Sequence, residues 1–490
     1  MVKGKKNIFN NRNLKYGAVS VIITIIVIAF IVLLNTALTF LFNRFPLNID
    51  LTKNRVFEIS GDTGNILLNL DKDVVIYVMN TESGFISTSP AEYFIQANEI
   101  IKKYAQYSPS GRVRIEYIDL IRNPDFASRY PDDQIQMNDI IIASGDKYKV
   151  IFPSKLFNVF SSEYGSFVAS SRAEQALTSA LVNVISGKIF KAALVSGHGI
   201  QDIASFLELL ILNNYEITEV NLLTEDIPSD VSLLILCDPS RDLSLNELRK
   251  IDAFLDSADA RVLFYIASLL QPELPNLDDF LKEWGIAVDP GIVFESDNSR
   301  LISPSSYIAI VDYAESQHSR NMLQRNLQMM MAQSRPLRMV YEEFRSRFVT
   351  TLLKFSGSSG IRPSNAPNDW VPSAAYVTGN VPALLLSTQT KNDVNWNIIS
   401  SHVLVLGSIL ALEETTLGNP YIANSAYFLD LIGNLTGRDD NFYITDKIIG
   451  FTDLKASYSQ VIAIIIIFVI ILPLAVIGAG IAIWLKRRHK

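Results

Sequence analysis

The chain has 490 residues, 49% of them hydrophobic, and carries 43 Lys and Arg against 50 Asp and Glu, a net charge of −7. This acidic balance argues against a nucleic-acid partner, and a single cysteine, Cys237, excludes an internal disulfide. The chain is too long for one hydrophobic core, which indicates two domains of ordinary size.

Two apolar segments, residues 17–42 and 460–485, are each longer than the ~20 residues that cross a bilayer. We expect two transmembrane helices. A cleaved signal peptide fits the first segment less well, because no small-residue cleavage site follows it. Basic residues crowd the tails, residues 1–16 and 486–490, which predicts cytoplasmic termini, a plasma-membrane location and an extracytoplasmic domain between the spans.

The first extracytoplasmic domain is predicted over residues 43–188. Apolar spacing predicts helices at 59–70, 89–107 and 171–185 and strands at 73–79, 112–118, 138–143 and 148–152. The order β-α-β-β-β, closed by a helix, indicates a compact α/β unit of roughly thioredoxin size.

The second domain is predicted over residues 189–440. It opens with a strand at 192–195, the turn Ser196-Gly197-His198-Gly199, and a helix that Asp202 can cap. Further strands are predicted at 216–222, 231–238, 261–267, 383–387 and 402–406, and helices from 244, at 277–284 and from 419. Strands alternating with short helices predict a parallel sheet covered on both faces.

Residues 296–380 interrupt this alternation and are interpreted as an insertion. Within it, residues 322–331, with three consecutive methionines, are interpreted as helical, and residues 342–353 form another periodic segment. Residues 441–459 then form a stalk that leads to the second span.

The turn at the end of the first strand of the second domain is the main candidate site. Free backbone N–H groups of Ser196, Gly197, His198 and Gly199 could cradle an anion beside Gln201. Gly407 and Ser408 form a second strand-end turn that could share the same crevice. The alternative is a tight turn selected for its backbone geometry, with His198 as a surface or packing residue; a single glycine turn is a weak signal and favours this alternative.

Other chemistry finds little support in the sequence. Cys237 lies within an apolar strand and is interpreted as a small buried hydrophobe. The four histidines lack metal-ligand spacing, so neither a metal nor a cofactor is expected. Neighbouring acids and strand-end acids such as Asp238 are interpreted as caps or turns. The chain has no P-loop, so we do not expect it to hydrolyse ATP itself.

An ordered set of short stretches resembles the gliding-motility-type (GldG-like) auxiliary component of ABC transport systems, whose outer domain is called an ABC-transporter auxiliary domain. The stretches are 49–52 with 59–60, 119–126, 194–199, 316–318, 349–353, 381–385, 403–408 and 424–437. In that family the Gly-His-Gly turn is commonly followed by Glu, whereas this chain has Ile200.

The resemblance implies an amidotransferase- or flavodoxin-like second domain without catalytic apparatus. It further implies a non-catalytic subunit that binds, gates or guides substrate beside an ABC permease and an ATPase, with a second copy or a related auxiliary subunit as a further partner. The alternatives are a cell-envelope hydrolase or transferase that uses the 196–199 turn, and a two-span envelope sensor or scaffold.

Overall fold

The computed structural model describes residue 22, residues 24–36 and residues 55–438, apart from 132, 163–164, 187–189, 200–202, 326, 368, 393–395 and 420. It also describes residues 444 and 446–449 and twelve positions between 462 and 485. The predicted cap Asp202, the site residue Gln201, nearly half of the first predicted span and more than half of the second lie outside this set.

The structure divides into two compact units, Met1–Glu58 and Ile59–Lys490. In the first unit, residues 24–36 are helical and their side chains are exposed. No helix in the described part of the chain is both long and apolar enough to cross a bilayer. The boundary predicted near residue 188 also lies outside the described residues and stays a prediction.

The second unit begins with a small α/β half. Its helices are α1 (Gly61–Leu68), α2 (Glu82–Ile86), α3 (Ala91–Tyr107), α4 (Pro153–Leu156) and α5 (Ala173–Ser186). Its strands are β1 (Val74–Val78), β2 (Val113–Tyr117), β3 (Ile140–Ser144), β4 (Lys147–Ile151), β5 (Phe157–Ser162) and β6 (Gly165–Ser171). Strands β2-β1-β3-β4 form one sheet, in which only β1 and β2 run parallel.

The apolar faces of α3 and α5 form a common core with one face of this sheet. Tyr104 of α3 is fully buried and donates a hydrogen bond to the Glu174 carbonyl at 3.0 Å. The β5–β6 hairpin was not predicted from the sequence, because its serine-rich strands lack a clear alternation of apolar and polar residues.

Glu174, in the first turn of α5, is 2% exposed and contacts two segments that are distant in sequence. Its Oε1 accepts hydrogen bonds from the Ser60 amide at 2.5 Å and from Thr63 Oγ1 at 2.8 Å. Its Oε2 pairs with Lys447 Nζ at 2.6 Å, and the Lys447 backbone forms an antiparallel bridge with Ser171. The segments around residues 60 and 447 therefore meet at one carboxylate.

The larger half is built on a ten-stranded sheet. The strands of this half are β7 (Phe190–Val195), β8 (Tyr215–Val220), β9 (Val231–Cys237), β10 (Arg261–Ile266), β11 (Ile286–Val288), β12 (Ile292–Glu295), β13 (Ile308–Tyr313), β14 (Met329–Ala332), β15 (Leu337–Met339), β16 (Glu343–Phe344), β17 (Arg347–Lys354), β18 (Ser359–Arg362), β19 (Pro382–Asn392) and β20 (Ile398–Leu406). The helices are α6 (Ala204–Ile211), α7 (Leu245–Ser257), α8 (Pro275–Glu283), α9 (Arg320–Arg325), α10 (Glu414–Leu417) and α11 (Asn424–Leu435).

The order of the main sheet is β14-β13-β17-β19-β20-β10-β9-β7-β8, with β16 paired to β17. Strands β8, β7, β9, β10 and β20 run parallel, as predicted, whereas β19, β17, β13 and β14 are antiparallel to their neighbours. The short connection from β19 to β20 explains the change, because a parallel pair needs a crossover of about a dozen residues or more. Helices α6 and α11 pack on one face and α7 and α8 on the other, so the α/β fold class is confirmed.

The segment predicted as an insertion extends the sheet through β13, β14 and β17. The prediction of a helix over residues 322–331 is wrong beyond α9, because Met329, Met330 and Met331 belong to β14 and are buried on both faces. The periodic segment at 342–353 likewise forms β16 and most of β17. Methionine is a good helix former, but helix propensity is a weak preference, and burial against α11 and β13 overrides it here.

Candidate functional site

The candidate turn follows β7 directly and lies at the carboxyl edge of the parallel strands. The Ser196 amide donates to the Val220 carbonyl at 2.8 Å, which continues the β7–β8 pairing for one more residue. Gly197 and Gly199 have φ angles of +93° and +72°, a conformation that glycine adopts without steric cost. The two glycines reverse the chain and direct the His198 side chain into the protein.

His198 is 4% exposed and its ring lies between two acceptors. Nδ1 is 3.1 Å from the Arg241 carbonyl oxygen, and Nε2 is 2.7 Å from Glu247 Oε1. A carbonyl can only accept a hydrogen bond, and an ionised carboxylate can only accept as well. An imidazolium with both nitrogens protonated satisfies both partners, and in that state His198 and Glu247 form a buried ion pair.

Glu247 also caps α7. Its Oε2 accepts hydrogen bonds from the Ser244 amide and the Ser244 hydroxyl, each at 2.8 Å, while Ser244 Oγ accepts from the Glu247 amide, which completes a capping box. Burial by itself raises the pKa of Glu247, but the hydrogen bonds from Ser244 and His198 outweigh burial and hold this pKa below its usual range. One carboxylate therefore joins the helix start to the turn.

Backbone contacts fix the turn to the loop between β9 and α7. The His198 carbonyl accepts from the Ser240 amide at 2.8 Å and from Ser240 Oγ at 2.9 Å. Arg241 Nη2 donates to the Gly197 carbonyl at 3.0 Å. These bonds use the carbonyl groups of Gly197 and His198 within the protein, and the His198 ring is buried.

Gly407 and Ser408 follow β20 and are also committed to the fold. Gly407 approaches the 334–335 backbone so closely that a Cβ would lie 2.5 Å from Ser334 Oγ and 2.6 Å from the Arg335 carbonyl. Ser408 is 1% exposed and its hydroxyl donates to the Ala332 carbonyl. Strands β9 and β10 lie between the two turns, a separation of roughly 14 Å at ~4.8 Å per strand, so the two turns are not neighbours along this edge and a shared crevice stays a prediction.

Cys237 ends β9 and is fully buried. Burial raises the pKa of its thiol to about 12, and the neighbouring Asp238 acts in the same direction. The thiol is therefore protonated at neutral pH and is a poor nucleophile. Among the residues that the structure describes, no three His, Cys, Asp or Glu side chains come together as metal ligands.

Asp238, interpreted from the sequence as a cap or turn residue, is a further buried polar group at this edge. It has a φ of +38°, is 4% exposed, and its Oδ1 has no hydrogen-bond partner among the described residues. Burial raises its pKa, although a hydrogen bond from Ser268 and the charge of Arg335 act against that rise. The available signal was its place at the end of an apolar strand, where α/β sheets position functional groups.

Comparisons with known proteins place parts of the chain in families. Residues 191–354 match the family described as an ABC-type uncharacterized transport system, and residues 53–158 match a domain of unknown function, DUF7088. No curated protein matches the chain.

Among solved structures, three weak likenesses cover about half of this chain. The mmIFT52 N-terminal domain is 14% identical with a TM-score of 0.36, over 52% of this chain and 100% of that one. PurLQS from Thermotoga maritima is 13% identical with a TM-score of 0.27, over 51% and 100%. A glutamine amidotransferase from Thermotoga maritima is 8% identical with a TM-score of 0.28, over 51% and 99%.

At TM-scores this low, the structural likenesses establish neither a common fold nor a common activity. The comparisons also do not distinguish the gliding-motility type of auxiliary component from other types of auxiliary component. The match over residues 191–354 nevertheless supports a relationship to the family described as an ABC-type uncharacterized transport system.

Proposed function

We propose that this protein is a non-catalytic subunit of an ABC transport complex, whose large domain binds, gates or guides substrate beside a permease and a cytoplasmic ATPase. The family match over residues 191–354 carries the proposal. The geometry of the 196–199 turn supports the non-catalytic part, because His198 is held by the Arg241 carbonyl and by Glu247.

The proposal includes two membrane anchors, residues 17–42 and 460–485, with both termini in the cytoplasm and the large domain outside. Long apolar runs with basic outer flanks support this arrangement. The contacts of Glu174 support it as well. They join residue 60, which follows the first apolar run, to residue 447, which precedes the second, so the chain enters and leaves this part of the second unit near one place.

Co-purification tests the role. The tagged full-length chain, extracted in mild detergent from its own cells, is expected to recover a multi-span permease and an ATPase in comparable amounts. The matched control is the same chain with residues 191–354 deleted, which keeps both apolar runs. Recovery of neither partner with the intact chain would contradict the proposal.

Cysteine labelling tests the topology. The native Cys237 is fully buried, so it gives little background in a folded chain. Leu270→Cys lies at a position that is 83% exposed and is expected to react with a membrane-impermeant maleimide on intact cells. Asn10→Cys, in the first tail, is expected to react only after lysis. Labelling of both before lysis would refute the two-anchor arrangement.

A further inference from the structure

A polar cavity of about 160 Å³ lies where the two halves of the second unit meet. Strand β5 and helix α5 line one side, and α6 and the segment around α10 line the other. Each water position takes up ~10–15 Å³ in this measure, so the cavity has room for on the order of ten non-hydrogen atoms. Clefts between structural halves are common ligand sites.

Gln175 of α5 lines this cavity and is 4% exposed. Its Nε2 has no hydrogen-bond partner among the described residues. A buried amide N–H without an acceptor destabilises a fold, so proteins seldom keep one unless something else satisfies it. An acceptor on a bound molecule would do so here.

Arg172 and Asp446 supply further polar groups to the same cavity. Arg172 Nε donates to Asp446 Oδ2 at 3.1 Å, and Ser170 Oγ donates to the same oxygen at 2.7 Å. No described residue accepts from the two terminal Nη groups of Arg172 or donates to Asp446 Oδ1. Donors and an acceptor are therefore available side by side, and Ser205 on α6 lines the same cavity.

The charge of the lining decides the class of ligand. Three acids, Glu208, Glu414 and Asp446, face one arginine, so a free anion is disfavoured. Asp446 pairs with Arg172, and Glu208 pairs with Lys155, so two of the three carboxylates are already neutralised and a cation gains little. The lining suits an uncharged polar molecule.

The remaining lining residues indicate the shape of that molecule. Leu209, Leu212 and Leu417 provide apolar contacts beside the polar groups, and none of the residues that line the cavity is aromatic. A stacked base or other flat aromatic ligand would lack its usual partners. A saturated ring has C–H faces for the leucines, and each of its hydroxyls both donates and accepts a hydrogen bond.

We propose that this cavity binds a neutral, hydroxyl-rich ligand of the size of a monosaccharide, held by Gln175, Arg172 and Asp446. The proposal does not rest on the transport role, because binding is measured on the isolated chain.

The test uses the full-length chain in a detergent without a sugar headgroup. Saturation-transfer NMR and calorimetry are run with D-glucose, D-mannose and N-acetyl-D-glucosamine, and with inorganic phosphate and spermidine as charged comparators. At least one sugar is expected to bind, and Gln175→Met and the cavity-blocking Ser205→Trp are each expected to weaken it at least tenfold. Gln134→Met, at an exposed position away from the cavity, is expected to bind as the wild type does.

Thermal unfolding distinguishes a structural role of Gln175 from a role in ligand binding. Because its Nε2 has no protein partner, Gln175→Met is expected to melt at or above the wild-type temperature while losing the sugar. The proposal is overturned if no sugar binds, if phosphate or spermidine binds in preference, or if sugar binding survives both cavity variants.

Discussion

Replacing His198 by alanine would remove the positive partner of Glu247 and leave the Arg241 carbonyl without a donor. Breaking a buried ion pair by removing one partner costs about 3–5 kcal/mol. The Ser244 amide and hydroxyl still donate to Glu247 at 2.8 Å each, so we expect the lower end, a loss of about 3 kcal/mol in the free energy of unfolding.

Urea unfolding of the full-length chain measures this loss, followed by tryptophan fluorescence, since Trp284 is buried in the same half of the fold. His318→Ala is the matched control, because that ring is half-buried and its only hydrogen bond in the described structure is to Gln317; we expect a loss below about 1 kcal/mol. A double-mutant cycle of His198→Ala with Glu247→Gln should give a coupling energy of about 2 kcal/mol.

The reasoning fails if His198→Ala unfolds within about 0.5 kcal/mol of the wild type, since the error of additivity for uncoupled sites is of that size. If such a stable variant also lost its transport-linked function, the ring would be acting on a substrate. That result would favour the hydrolase or transferase alternative.

Three further outcomes are expected. Burial and the charge of a nearby histidine lower the pKa of His402 to about 4, so between pH ~6.5 and pH 4 the unfolded chain protonates this ring more readily than the folded chain does. The free energy of unfolding should therefore be highest above pH 6.5 and fall by about 3 kcal/mol toward pH 4. In urea titrations, His402→Gln should flatten this pH dependence. Gly407→Ala, whose methyl would lie 2.5 Å from the nearest side-chain atom, should lose about 1–3 kcal/mol in the same assay, whereas Gly357→Ala, with nothing within 4 Å, should be unchanged. Glu174→Gln should speed hydrogen exchange at residues 446–449 at least tenfold, and the partly exposed control Glu99→Gln should leave it unaltered.

The regular elements of the fold could be predicted because their apolar periodicity is strong. Strands β7, β9, β10 and β20 and helices α7 and α8 lie within a few residues of their predicted positions. The methionine strand β14 could not be predicted, since three consecutive buried methionines show neither a helical nor a strand periodicity. Only the pairing with β13 selects the extended form. The antiparallel half of the sheet depends on connections within 296–380, whose direction no local pattern specifies.

The candidate site, like the fold, could be predicted from the sequence only in part. The turn at Ser196–Gly199 could be placed from its glycines and from the apolar strand before it. The partner of His198 could not, because Glu247 lies 49 residues away on a helix whose capping box already explains the glutamate locally. Asp238 was interpreted as a cap or turn residue for a related reason: an acid after a strand usually makes a turn, and only the packed structure shows its Oδ1 without a partner among the described residues.

The two-sided contact of Glu174 has a mechanical consequence. A tensile load applied through the chain at residue 60 and one applied at residue 447 both reach α5 at the same carboxylate. Equal displacement of both ends would carry the domain along as a rigid body, whereas a relative sliding of one end past the other would load these short bonds first. The contact would therefore respond to the difference between the movements of residues 60 and 447 and remain insensitive to their sum.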